Sequence, residues 1–296
     1  IRLANVPEFL QDDEQVIHVI VIIMCRLLGF KSSIPSLIHH SLHDAENAMI
    51  IQSKKHFDGW GVGFYQKGEC FVVKRAHAAF EDFNFPQLTK TLISDTVVCH
   101  IRQATIGAKK NRQNCHPFQC GKWLFAHNGT VKNFNGVKKK ILEEIPKILQ
   151  KHILGNTDSE HVFYLFIHYL KSLVKRHKIN ELRDVEIAKF ALVKTIQKID
   201  EWSTTKRSKT RSTLNFVLTN GYIMLATRRG KSLFHTESSI AIGIQKSKKP
   251  AHMRNEIDKY FLVSSEKLSE SDYWERVPEN SLITVTPDLK FDIVPL

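Results

Sequence analysis

Several things this chain lacks narrow the field. It has 5 cysteines in 296 residues, an odd number at positions 25, 70, 99, 115 and 120, so a disulfide framework is excluded and a reducing cytosol is the natural setting. It has no long apolar run of membrane-spanning length: residues 16–23 are too short to cross a bilayer and follow Asp12, Asp13 and Glu14 where a signal peptide needs basic residues. Acid is in deficit, with 30 Asp and Glu against 43 Lys and Arg and a formal net charge of +13, which raises the question of nucleic acid. Yet the basic residues are scattered in short clusters (138–140, 206–211, 228–231, 246–249), with no exposed aromatics interleaved. They read as solvated helix faces and loops rather than a nucleic-acid surface. Internal repeats and a convincing linker are also missing; the polar loop at 203–212 is too short to divide the chain.

The 42% hydrophobic content supports a full core. A short buried strand is expected at 25–30, a helix with a loosely apolar face (Leu37, Ile38, Leu42, Ala45, Ala48, Met49) at 36–53, and a glycine-rich strand at 59–65. Glycines 59, 61 and 63 resemble a phosphate-binding loop, but no helix follows to aim amides at a phosphate, so close backbone packing is the preferred reading. A hairpin partner at 69–75 and strands at 96–102 and 122–127 come next. Helices are expected over about 131–151, 158–177 and 180–202; in the second, Val162, Phe163, Leu165, Phe166, Tyr169, Leu170 and Leu173 form one stripe, with Thr157 or Asp158 as cap. Further strands are expected near 214–219, 222–227, 232–235, 260–264 and 281–286. The order of strands, helices and strands again predicts an α+β class and one compact domain.

Candidate chemistry begins at Cys25, directly behind Met24. A cysteine at a free N-terminus carries a thiol and, in its own α-amine with pKa about 7.7 to 8.0, a general base. Residues 1–24 are expected to be a leader. Three readings stay open for it: upstream sequence in a gene model that starts too early, which is the most economical, a propeptide removed before Cys25, or a strand extension. Residues 25–296 form the single domain. Further candidates are Arg102 at a strand end, Asn128 and Gly129 at another, and Asp158 opening a helix. Cys99, His100, Cys115, His116 and Cys120 lack the paired spacing of a zinc site, and no metal is expected.

Six short words carry a resemblance: C-R-L-L-G from 25, D-G-W-G at 58–61, H-I-R-Q-A-T-I-G at 100–107, H-P-F at 116–118, A-H-N-G at 126–129 and N-T-D-S-E at 156–160. Together, over residues 24 to about 266, the chain resembles the class II glutamine amidotransferases, N-terminal-nucleophile hydrolases that liberate ammonia from glutamine. It is most similar to the compact YafJ-like branch and relatives such as the γ-glutamyl hydrolases of ergothioneine and glutathione metabolism. The resemblance implies a four-layer αββα sandwich. It implies that Cys25 attacks the side-chain amide of glutamine or a γ-glutamyl compound to form a γ-glutamyl thioester, with its α-amine as base. Asn128 and Gly129 would supply an oxyanion hole, and Arg102 and Asp158 would hold the substrate α-carboxylate and α-ammonium, with His127 and Thr105 on the substrate side. His127 is given no proton-transfer role.

The resemblance implies no cofactor, a small-molecule substrate, and a separate ammonia-accepting synthase subunit as a partner to consider. Two departures stand out: Ile106 where several amidotransferases have histidine, and Lys267 where relatives often have proline. With residues 1–24 attached, Cys25 would have an amide nitrogen and no base. The rival expectation is a non-catalytic protein of the same fold that keeps its leader and binds an acidic partner or nucleic acid through its basic surface.

Overall fold

A computed structural model describes residues 25–103, 111–177, 184–204, 211–238, 259–270 and 273–296. After Cys25 the chain forms β1 (Arg26–Leu37), a π-helical turn at His40–Asp44, one turn of helix α1 (Met49–Gln52), and the hairpin of β2 (Gly59–Gln66) and β3 (Glu69–Arg75). Helix α2 (Asn84–Thr91), β4 (Ile93–Arg102), β5 (Phe118–Cys120) and β6 (Trp123–Thr130) precede a helical block of α3 (Phe134–Glu144), α4 (Lys147–Gln150), α5 (Asp158–His177) and α6 (Val185–Ser203). Strands β7 (Thr213–Thr219), β8 (Met224–Arg228), β9 (Phe234–Ser238), β10 (Tyr260–Ser264), β11 (Glu275–Arg276), β12 (Ser281–Val285) and β13 (Phe291–Pro295) complete the described chain.

The strands form two sheets, ordered β11-β9-β10-β1-β4-β2-β3 and β13-β12-β8-β7-β6-β5. Their layering follows from period-two alternation in the central strands. In β1, Leu28 and Phe30 join Ile38, Leu42, Met49, Trp60 and Phe85 under the π turn and the first two helices. Leu27, one residue out of phase, instead joins Leu124, Ala126, Val217, Val263 and Ile283 between the sheets. β6 divides the same way: Leu124 and Ala126 face the other sheet, while Trp123 and Phe125 face the helical block. There Phe125 stacks on Phe163 with centroids 5.3 Å apart, and the expected stripe of α5 lies in the same cluster, with only Leu173 partly buried. The result is helices, sheet, sheet, helices: the expected αββα sandwich. Each fully buried side chain of this size contributes about 1.5–3 kcal/mol.

The stretch 36–53 corrects the expected helix. β1 runs through Leu37, and between the π turn and α1 the backbone is extended at Ala45 and Ala48. Its apolar residues are buried as anticipated, with Ile38, Leu42, Ala48 and Met49 all at 2% exposure or less. The break between them is pinned from outside: Asn47 donates from its backbone N–H to Leu268 O at 2.9 Å and from its side chain to Lys267 O at 2.8 Å. Helix α6 starts at Val185, later than expected, because Asp184 caps it by accepting the Ile187 N–H at 3.0 Å. Three short or edge strands, β5, β11 and β13, were not anticipated. No described helix is long and apolar enough to cross a membrane.

The glycine-rich strand β2 turns straight into the β3 hairpin, with Val62 opposite Val73 and Gln66 opposite Glu69. Its glycines serve close packing: a Cβ on Gly61 would fall 2.0 Å from the backbone oxygen of His116. Since backbone cannot rotate away as a side-chain tip can, Gly61→Ala is expected to destabilise the protein by about 1–3 kcal/mol or more. Gly68, in the open hairpin turn with nothing within 4 Å of such a Cβ but at φ 78°, serves as the comparison in which only backbone strain, about 1 kcal/mol, opposes alanine. Thermal unfolding of the two alanine variants tests this, and equal midpoints would contradict it.

Candidate active site

The register of the central sheet delivers the nucleophile candidate to its neighbours. β1 and β4 pair antiparallel with Arg26 opposite Ile101 and Leu27 opposite His100, so one further step brings Cys25 beside Arg102. The backbone beyond Arg102 then grips the sulfur. Gln103 N–H donates to Cys25 Sγ at 3.2 Å, and the thiol donates to Gln103 O at 3.3 Å. Burial pushes the Cys25 thiol up from its ordinary pKa, against the opposing pulls of the Gln103 N–H and the Arg102 charge. The sulfur therefore rests as a thiol and needs a base to react. Arg102 is itself buried, its Nη1 donating to Asp58 O at 3.5 Å.

From the second sheet comes the end of β6. It pairs with β7, Asn128 opposite Asn215 and Gly129 opposite Leu214, while β5 reaches only to Phe125. Beyond Phe125 one edge of β6 thus has no strand partner among the described residues. Alternation places the Asn128 side chain on the inter-sheet face with Ala126, and puts Cys25 in phase with Leu27 on the facing side. A Cβ at Gly129 would fall 2.0 Å from Thr213 O, so that position accepts glycine alone.

His127 lies on the other face of β6 and is committed to the protein. Nε2–H donates to Thr213 O at 2.9 Å, leaving Nδ1 as the acceptor for the Ser159 hydroxyl at 3.0 Å. Burial lowers its pKa despite the Asp158 charge, and with both nitrogens engaged only its ring face and backbone remain for a ligand.

The third contribution is the start of α5. Thr157 Oγ1 caps the helix by accepting the Glu160 N–H at 3.2 Å. Glu160 folds back to accept the N–H groups of Leu154 and Gly155 at 3.0 and 2.6 Å. With the cap supplied by Thr157, the Asp158 carboxylate accepts the Val131 N–H at 2.7 Å and the Ser159 N–H at 2.8 Å. The loop ahead of the helix is tied to Asn114, whose side chain donates to Asn156 Oδ1 at 2.8 Å and accepts the Asn156 N–H at 3.1 Å.

These pieces enclose one cavity of about 290 Å³, lined by Cys25, Arg102, His127, Gly129 and Asp158 together with Gln103, Asn114, His116, Phe134, Asn156 and neighbours. Asn128 adjoins it but is not part of its lining, and Thr105 lies outside the described residues. Two larger hollows, about 1020 and 710 Å³, run along the α5–α6 and α3–α4 surfaces and hold no nucleophile. Gln103 acts through its backbone, which no side-chain pattern advertises. Asn114 is 42 residues from its partner Asn156 and is likewise invisible to motif reading. Cys115 does not join a zinc set: its thiol donates to the Arg75 and Asn111 carbonyls, both at 3.4 Å.

The profile of the class II glutamine amidotransferases matches residues 24–287. The chain belongs to this family. A probable glutamine amidotransferase of Saccharomyces cerevisiae, DUG3, is 30% identical over 295 residues, covering 88% of this chain and 82% of that one. The gamma-glutamyl-hercynylcysteine sulfoxide hydrolase of Mycobacterium tuberculosis is 32% identical over 120 residues, 36% of this chain and 50% of that one. Among solved structures, a protein from Silicibacter pomeroyi described as a glutamine aminotransferase class-II domain protein superposes with a TM-score of 0.60 at 18% identity, covering 92% of this chain and 99% of that one. The similarity places this amidotransferase among enzymes that break or transfer amides and supports the same sandwich fold.

Behind the cavity the amidotransferase buries a neutral histidine pair. His100 and His116 pack with ring centroids 4.2 Å apart, and His100 Nε2–H donates to the His127 carbonyl at 3.2 Å. Burial drives the His100 pKa down to about 3 and that of His116 well below its ordinary value. An unfolded chain binds these protons below pH about 6.5, whereas the folded one refuses them, so stability falls as pH drops below that value. Between pH 7 and 5 His100 alone is expected to cost about 2 kcal/mol, with His116 adding in the same direction. Denaturant unfolding at the two pH values measures it; equal stabilities would show that the rings are charged or exposed.

Proposed function

We propose that Cys25 is the nucleophile of an amide hydrolysis on glutamine or a γ-glutamyl compound, working as the first residue of a chain relieved of residues 1–24. The observation that carries this reading is the single small cavity bordered by Cys25, Arg102, Gly129 and Asp158. A guanidinium and a carboxylate on one such cavity suit the two charged ends of a free amino acid, the former through a two-point fork to the α-carboxylate. The neutral, part-buried thiol fits a nucleophile that waits for a base, and the α-amine of Cys25 is the nearest group of suitable pKa.

In the proposed cycle that amine takes the thiol proton, directly or through water, as sulfur adds to the amide carbon. The electron pair of the carbonyl moves onto oxygen, where the Gly129 N–H and the Asn128 side-chain amide receive it; single donors of this kind are worth about 2.7–4 kcal/mol in other hydrolases. Collapse re-forms the carbonyl and breaks the C–N bond, and the ammonium proton passes to the leaving ammonia or amine. Water then adds to the γ-glutamyl thioester, the C–S bond breaks, and glutamate leaves with the thiol restored. With glutamine as substrate, the ammonia would pass to a separate synthase subunit. The similarity to a hydrolase named for a γ-glutamyl substrate supports the second class, in which the amine is simply released.

A chain beginning at Cys25 is expected to be alkylated on that residue by a glutamine-mimicking electrophile, as located by peptide mass spectrometry, and Cys25→Ala to lose turnover. Full activity in that variant would sink the mechanism. Retaining residues 1–24 should cost the contribution of the base, about 10²–10⁴-fold in rate, and the rate of the processed chain should fall as pH drops through about 7.7–8.0. Arg102→Ala and Asp158→Ala should each raise KM by roughly tenfold or more, the worth of a charged hydrogen bond. An unchanged KM would show that the substrate ends are held elsewhere.

A further inference from the structure

At the far end of β1 from Cys25, beyond twelve strand residues or about 36 Å of chain, three ligand-type side chains converge on the π-helical turn. His39 Nε2 lies 3.3 Å from Asp44 Oδ1, and His43 Nδ1 lies 2.8 Å from the same oxygen. One ligand atom from each of the three residues falls within 4.8 Å of the others, and among the described residues this is the group that gathers so. We infer that His39, His43 and Asp44 form a binding site for a borderline divalent transition metal such as Zn²⁺, independent of the cavity at Cys25.

Backbone winding makes the site. On an α-helix of 3.6 residues per turn, residue i+4 stands near residue i, but residue i+5 is turned about 140° away. The wider i→i+5 winding of the His40–Asp44 segment brings both i+4 and i+5 to either side of i. His43 and Asp44 therefore flank His39 together, which a regular helix would forbid. From the sequence the stretch 36–53 is expected as a continuous helix, and the expectation of no metal rests on other residues, Cys99 to Cys120.

The orientation of the rings also fits. The Thr89 hydroxyl donates to Pro86 O at 3.2 Å, so at 3.3 Å it accepts from His39 Nδ1–H. That contact from α2 fixes the tautomer with the Nε2 lone pair directed at the Asp44 carboxylate. Ligating histidines are commonly oriented by such a hydrogen bond from the other nitrogen. Two acceptors so placed suit a cation between them. A metal at about 2.0–2.2 Å from each donor separates its ligands by about 3–3.6 Å; the His39–Asp44 distance of 3.3 Å falls in that range, and the His43–Asp44 hydrogen bond of 2.8 Å would open slightly. The rings stack at 4.7 Å, and a modest rotation of the part-exposed His43 closes the set. Two imidazoles and one carboxylate are the ligand type of zinc, cobalt, nickel and ferrous sites. Ser41 and Leu42 supply the buried anchoring of the turn. The simplest competing account is a protonated histidine pair neutralising Asp44 with no affinity for metal.

The test is isothermal titration of tag-free, chelator-treated full chain carrying Cys25→Ala, so that the thiol cannot contribute, with ZnCl₂ and separately CoCl₂. One ion per chain is expected, with a zinc-dependent rise in the melting midpoint. His43→Ala and Asp44→Asn are each expected to weaken binding roughly tenfold or more, while circular dichroism shows the fold retained. In chains keeping Cys25, the same two substitutions are expected to leave amide hydrolysis unchanged. Absence of zinc binding in the parent chain, or equal affinity in the His43→Ala/Asp44→Asn double variant, would overturn the site and leave the protonated pair as the explanation.

Discussion

The apolar layer between the two sheets is the constraint on which the rest of the structure depends. Leu27 and Val263 from one side meet Ala126, Val217, Met224 and Ile283 from the other, and this contact, with the bond from His100 on β4 to the His127 carbonyl on β6, fixes the end of β1 relative to the end of β6. A Cβ on Gly29 would approach Val217, Val263 and Met224 to 2.8–3.2 Å, so the sheets are as close there as side chains permit. The thiol of Cys25 and the Asn128–Gly129 pair come from different sheets, and among the described residues no hydrogen bond joins them directly. Their mutual placement is inherited from packing. Interiors of this density transmit small volume changes, which makes the inter-sheet layer part of the site in energetic terms.

Much of the fold was legible because its elements carry their own periodicity. Helix α5 begins and ends where its apolar stripe and acidic first turn said it should, and the β2–β3 hairpin forms as anticipated. The stretch 36–53 was not legible, because apolar residues at helical spacing were buried just as well by a strand end, a π turn and a single helical turn. The deciding bonds come from residues 267 and 268, more than two hundred positions away. β13 escaped notice as a half-exposed edge strand, and β5 because three residues carry no period.

The same distinction runs through the cavity. Cys25, Arg102, Gly129 and Asp158 stood out because each is an unusual residue at the end of an element, and they share one lining. Asn114 and Gln103 did not stand out, since one works through a distant partner and the other through its backbone. His116 stood out only within the word H-P-F and among residues without zinc spacing. Buried, without a hydrogen-bond partner on either ring nitrogen among the described residues, it contributes its ring to the wall and to the stack with His100.

The capping arrangement at α5 bears on how the proposed clamp would meet its substrate. Thr157 does the work of the cap, and Asp158 is held by two backbone N–H groups. Its carboxylate is thus aimed and partly neutralised by the fold itself. A site arranged in advance pays little reorganisation on binding. The amino-acid end of every γ-glutamyl compound would then be recognised alike, and discrimination among such compounds would fall to whatever surrounds the leaving group at the cavity mouth.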